Sequence, residues 1–264
     1  GVEITMEIDP ATFFENDLNE YIGIGINRFS LGAQAFDDIT LASIGRKHKR
    51  SQLIEACNWI NNLFKKGTLR SWSLDLIQNL PGLNLSKWIQ ELEQAVLTEA
   101  PHLSIYDLTI EPDTVFGRLH KKGKLNIPID SESQKIDFET TRLLKSRGFS
   151  RYEISSYSLP GHASRHNRMY WSGSGWWGFG MGATSAPWGE RFSRPRTIAG
   201  YKKWLEQQES QLLEKTLSSE KSKPKPMPLD ELLMIGLRRR EGIHFEELAK
   251  NVGWTQKELS LIHI

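Results

Sequence analysis

The sequence predicts an α/β fold, a partial (β/α) barrel followed by a small C-terminal helical module of winged-helix type. Short segments alternate apolar and polar residues with period two, and segments of helical periodicity fill the gaps between them. Several of the strand-like segments also keep one polar face, although parallel strands covered by helices are ordinarily apolar on both faces. A wide or partly open barrel accounts for all of this. Its lumen would bind a polar ligand, with functional groups at the C-terminal ends of the strands.

The elements follow in order. Residues 2–8 alternate, with Val2, Ile4, Met6 and Ile8 on one face and Glu3, Thr5 and Glu7 on the other, and Asp9-Pro10 ends the strand. A helix is expected over 11–21. A second strand, 26–34, sets Phe29, Leu31 and Ala33 opposite Arg28, Ser30, Gly32 and Gln34. Over 51–64, Leu53, Ile54, Cys57, Ile60, Leu63 and Phe64 recur at helical spacing and Gly67 supplies a stop, so Cys57 is expected on a buried stripe. The strand at 71–77 sets Trp72, Leu74 and Leu76 against Ser71, Ser73 and Asp75, and the helix at 86–98 turns Trp88, Ile89, Leu92, Ala95 and Val96 inward. A strand at 102–108, a helix at 136–146 and a fifth parallel strand at 152–157 complete the alternation. After Pro160 the composition becomes rich in glycine and tryptophan, and a helix is expected over 198–213. The expected domains are a barrel core over 1–217, a polar, proline-rich linker over 218–228 and a terminal module over 229–264.

A chain of 264 residues with 38% hydrophobic content buries a substantial core. The net charge of +2 argues against a global field for nucleic acid or anionic membrane. No apolar run of about 18 residues and no signal-peptide pattern appears, so a cytoplasmic protein without a membrane span is expected. The chain opens on Gly1, already within a strand pattern, which leads us to expect a fragment. A single cysteine excludes a disulfide framework or a multi-thiolate metal site built from this chain alone.

Glu7, Gln34 and Asp75 share the polar face toward the C-terminal ends of their strands. Carboxylates that accept from hydroxyl or ammonium groups, with an amide that both donates and accepts, suit a ligand combining sugar, base and amino acid. Arg46 lies in the basic run GRKHKR, where Lys47, Lys49 and Arg50 read as solvated charge. His166, Asn167, Tyr170 and Trp171 stand together in HNRMYW, ahead of GFGMGATS.

In order, EITMEIDP, INRFSLGAQAFDD, LASIGRKHK, SLDLIQNLPG and HLSIYDLTIEPDT resemble the barrel strands of the oxygen-independent coproporphyrinogen III oxidase-like radical S-adenosylmethionine family, and HNRMYW resembles the H-N-x-x-Y-W motif of its haem chaperone (HemW) branch. The resemblance implies that Glu7, Gln34, Arg46 and Asp75 contact S-adenosylmethionine, with Arg46 clamping its carboxylate. It further implies that His166 is a haem iron ligand, with Asn167, Tyr170 and Trp171 beside it. His48, His102, His120 and His162 have no such support. In the family, a [4Fe-4S] cluster held by C-x-x-x-C-x-x-C reduces the sulfonium to a 5′-deoxyadenosyl radical. That motif is absent from this chain, as is the family's glycine-rich segment after its second strand, so about two strand–helix units would have to precede Gly1 to restore the barrel.

The function expected is that of a haem-binding chaperone with haem-acceptor proteins as partners. The alternatives are an oxidase that decarboxylates a porphyrinogen, and an inactive remnant or metal-independent enzyme using Glu7 and Asp75 as acid and base.

Overall fold

The computed structural model describes residues 1–187, 189, 191–217, 227–253 and 255. They belong to two compact units, Gly1–Ser164 and Arg165–Ile264.

The first unit runs β1 (Thr5–Ile8), α1 (Glu15–Gly23), β2 (Arg28–Gln34), α2 (Asp38–Ser43), α3 (Arg50–Lys65), β3 (Ser71–Gln78) and α4 (Leu85–Leu97). It continues with β4 (His102–Asp107), α5 (Val115–Lys121), α6 (Asp130–Ser146), β5 (Ser150–Glu153) and β6 (Ser156–Ser158). The six strands form one open sheet in the order β1-β2-β3-β4-β6-β5, with β1 to β4 parallel and β6 antiparallel to both β4 and β5. The α/β architecture with a largely parallel sheet agrees with the sequence pattern.

The expected fifth parallel strand at 152–157 is instead the turn and inner half of a β5–β6 hairpin. Side chains hold that turn. Arg151 donates from Nε to the Ile154 carbonyl at 2.9 Å, and Glu153 Oε1 accepts from the Ser155 amide at 3.0 Å. The first strand is also shorter than its alternation suggested. Ile8 is buried, but Val2 and Ile4 precede β1 and are exposed. Helix α1 starts later than expected because Ala11 is left-handed (φ 64°) and the Asp17 carboxylate accepts from the Phe14 amide at 2.7 Å, fixing the first turn there.

The core lies between the sheet and its helices. Phe29, Leu31, Trp72, Leu74, Leu76 and Leu103 are fully buried on one sheet face and cluster with Leu53, Ala56, Cys57 and Ile60 of α3 and Trp88, Leu92 and Ala95 of α4. Trp88 donates from Nε1 to Thr140 Oγ1 at 2.7 Å, tying α4 to α6.

The second unit contains α7 (Arg165–Trp171), the short pair β7 (Thr184–Ser185) and β8 (Phe192–Ser193), α8 (Ile198–Leu217), α9 (Leu229–Gly236) and α10 (Phe245–Val252). Leu248 and Ala249 pack with Leu229, Leu232, Leu233 and Ile243, and α10 ends on left-handed Gly253 (φ 71°). Most of the linker expected at 218–228 and nearly all of the terminal TQKELSLI stretch lie outside the described residues. Among the described residues, no helix is long and apolar enough to cross a membrane.

Candidate functional site

Strand register assembles a polar face opposite the core. Glu7 pairs with Ser30, Ser30 with Ser73 and Ser73 with His102, while Gly32 pairs with Asp75 and Asp75 with Ser104. Registered neighbours point to the same side of a sheet, so these residues form two rows across four strands. The structure thus brings Glu7 and Asp75 onto one face.

Asp75 is the centre of that face. Ser30 Oγ donates to its Oδ2 at 2.8 Å and Ser73 Oγ to its Oδ1 at 2.9 Å. Burial pushes the carboxyl above the usual carboxylate range, the nearby charge of Glu7 adds to that rise, and hydrogen bonds from Ser104, Ser30 and Ser73 oppose it.

Gln34 reaches the same region by a bulge. The pairing slips between Gly32 and Gln34, and Gln34 itself is left-handed (φ 66°). Gly32 leaves the room this requires: a methyl group there would lie 2.7 Å from Asp9 Oδ1 and 3.0 Å from Gln34 Nε2. Asp9 also accepts from Arg46 Nη1 at 2.9 Å. Asp9, Gln34 and Arg46 therefore gather at the C-terminal ends of β1 and β2. Sequence reasoning assigns Asp9 only a strand-ending role; its position directly after Glu7-Ile8 on the polar face is the available signal.

Deeper on this face, Arg28 is almost fully buried and donates from Nη1 to the His162 carbonyl at 3.1 Å. His162 Nδ1 lies 3.0 Å from Ser71 Oγ, and its ring meets Phe64 edge-on. His102 is enclosed between Ser73 and Tyr152, and burial, reinforced by the charge of Arg28, holds its imidazole well below the usual histidine range. His48 is buried as well, with Nε2 3.3 Å from the Ala33 carbonyl. Sequence reasoning had found no ligand role for these histidines, and the structure shows what they touch.

The second constellation forms helix α7. His166 is exposed, its ring edge-on to Tyr170 with centroids 4.7 Å apart, and Tyr170 meets Trp176 at the same separation. Arg238 caps the Trp171 ring at 4.3 Å, and Arg168 pairs with Glu241 at 2.6 Å. Met169, Trp177, Phe179 and Met181 are exposed. An imidazole beside a graded set of rings suits a flat, apolar, metal-bearing ligand.

An iron–sulfur cluster needs several thiolates. Cys57, the one cysteine of the chain, is buried on α3, and burial pushes its thiol up to about 12. This chain's residues do not hold such a cluster.

No model of a protein family matches the chain. It is 42% identical over 97% of its length to the "Heme chaperone HemW" of Synechocystis sp., covering 60% of that protein. It is 33% identical over 97% of its length to the HemW of Haemophilus influenzae, covering 63%. The chain thus spans less than two thirds of the length of these relatives. Among solved structures, the radical SAM enzyme coproporphyrinogen III oxidase (HemN) of Escherichia coli superposes with a TM-score of 0.73 at 15% identity, over 98% of this chain and 60% of that one. The chain is thus similar to HemW proteins along nearly its whole length, and its fold is the one seen in HemN.

Proposed function

We propose that the chain is the ligand-holding part of a haem-handling radical S-adenosylmethionine protein, with S-adenosylmethionine on the serine-lined sheet face and haem at α7. The observation that carries the reading is the convergence of Glu7, Asp75, Gln34 and Arg46 on one face and one end of the parallel sheet. Asp75 and Glu7 accept from ribose hydroxyls or the ammonium group, Gln34 offers an amide to a polar edge of the ligand, and Arg46 holds the methionine carboxylate. The cofactor supplies radical chemistry when a reduced cluster stands beside it, and these side chains bind and orient it. Calorimetric titration with S-adenosylmethionine tests the site. Glu7→Ala, Gln34→Ala and Asp75→Ala are expected to weaken binding more than Lys47→Ala, and equal affinity in all four removes these residues from it.

The haem half rests on the contact series from exposed His166 through half-buried Tyr170 to Trp176 and on the names of the relatives. The partners would be haem and the proteins that accept it. In a haem titration followed by absorbance, His166→Ala is expected to shift the Soret band or weaken the complex, whereas His162→Ala, whose ring packs on Phe64, is expected to act on stability. Residual haem binding in His166→Ala fits burial of the macrocycle by Tyr170 and Trp171. An unchanged spectrum and affinity returns His166 to a structural role.

A further inference from the structure

The polar face contains a line of hydrogen bonds with one direction. Ser73 Oγ lies 2.9 Å from Asp75 Oδ1, 2.8 Å from His102 Nδ1 and 3.2 Å from Ser104 Oγ. A hydroxyl has one proton to give, and a carboxylate only accepts. Once Ser73 donates to Asp75, its contact with His102 requires Nδ1 to be the donor, which fixes the imidazole as the Nδ1–H tautomer. The other nitrogen, Nε2, then presents a lone pair to Tyr152, whose hydroxyl stands 2.8 Å away and donates to it. The Tyr152 oxygen in turn accepts from the Ser164 amide at 3.3 Å. Every proton along Ser164–Tyr152–His102–Ser73 points toward Asp75. His102 is 1% exposed and Tyr152 9% exposed, so water does not compete for these positions.

The line does something for Asp75 that packing alone would not. A carboxylate offers about four lone-pair directions. Ser73 and Ser30 occupy one on each oxygen and Ser104 takes a third, which fixes the rotation of the group and leaves one direction for a ligand. Aligned donors behind Ser73 also polarise its O–H bond, so the anchor at Oδ1 is stronger than an isolated serine would provide.

We propose that His102 and Tyr152 are positioning residues, which act through Ser73 to orient Asp75 for the hydroxyl or ammonium groups of its ligand. The proposal rests on the reading of this face as an S-adenosylmethionine site.

The test uses this chain with S-adenosylmethionine as the probe, reading Kd by calorimetry and the fold by urea midpoint. His102→Leu and Tyr152→Phe are expected to raise Kd about tenfold. His102→Asn places an amide N–H near the former Nδ1 and is expected to recover most of that loss, which a volume-filling role would not produce. A separate readout needs no ligand: ¹⁵N spectra of the His102 ring should show Nδ1 protonated and Nε2 bare, with the Nε2 signal moving in Tyr152→Phe. An Nε2–H tautomer, or a Kd unchanged in both His102→Leu and Tyr152→Phe, overturns the inference while leaving the cofactor site in place. No detectable S-adenosylmethionine binding by the unsubstituted chain overturns the cofactor reading and this inference together.

Discussion

The sheet face around Asp75 and the helix around His166 hold their candidate ligand groups in opposite ways. On the sheet face, positions are dictated by register, and the central groups are buried and hydrogen-bonded, with Ser30 and Ser73 each within 3 Å of a carboxylate oxygen. On α7, a helix of 7 residues with no fully buried member, the imidazole is exposed and the rings are half-buried. Under the proposed function the two regions would use opposite recognition strategies. A ligand rich in hydroxyls would meet a carboxylate fixed in advance, and a flat apolar ligand would meet rings that it must itself cover.

The largest effect expected from breaking this contrast comes from Trp72→Ala, beneath the polar face. Trp72 is fully buried and its Nε1 has no partner, so the loss is one of packing, about 3–5 kcal/mol in urea unfolding. The pH dependence comes next. His102 is held neutral, with a folded value far below 6.5, so its contribution to stability is present above about 6.5 and is lost as pH falls from there toward the folded value. Urea midpoints should therefore drop between pH 7 and 5, and the drop should shrink in His102→Asn.

Asp75 works with the opposite sign, because burial raises its folded value above 3.8. Its protonated form favours the fold at low pH, and that favour is lost as pH rises through the folded value. Asp75→Asn is thus expected to raise the urea midpoint at pH 7, less so near pH 4, while weakening the ligand. A lower midpoint at pH 7 would show that the serine hydroxyls outweigh desolvation. The smallest effect is expected on the outward-facing region: Phe179 is 84% exposed, and Phe179→Ala should change stability by less than about 0.5 kcal/mol. A larger loss there would mean that these rings are structural and not held ready for a ligand.

The parallel strands were legible because their alternation is strict: Ser71, Ser73 and Asp75 against Trp72, Leu74 and Leu76 fixes both faces of β3 without any tertiary information. The helix carrying Cys57 was legible for the same reason at a different period. The β5–β6 hairpin was not. Its turn, Ile154-Ser155, contains no glycine, asparagine or proline, and Ile154 continues the apolar alternation, so the reversal depends on Arg151 and Glu153 side chains that no local rule anticipates. Glu7 and Asp75 could be placed on a shared face from periodicity. The role of Asp9 beside Arg46 depends on a contact across 37 positions of chain, and the tautomer of His102 depends on where the hydroxyls of Ser73 and Tyr152 point.

Gln34 shows that one residue can be under two opposed selective pressures. Its left-handed backbone (φ 66°) is a conformation in which any side chain beyond glycine costs about 1 kcal/mol. Screening variants of this chain for thermal robustness alone should therefore enrich Gln34→Gly, which relieves the strain and discards the amide. Screening for ligand retention should purge the same substitution. The two screens would diverge at this position, so laboratory evolution under alternating conditions could reveal whether Gln34 is maintained for binding or merely tolerated.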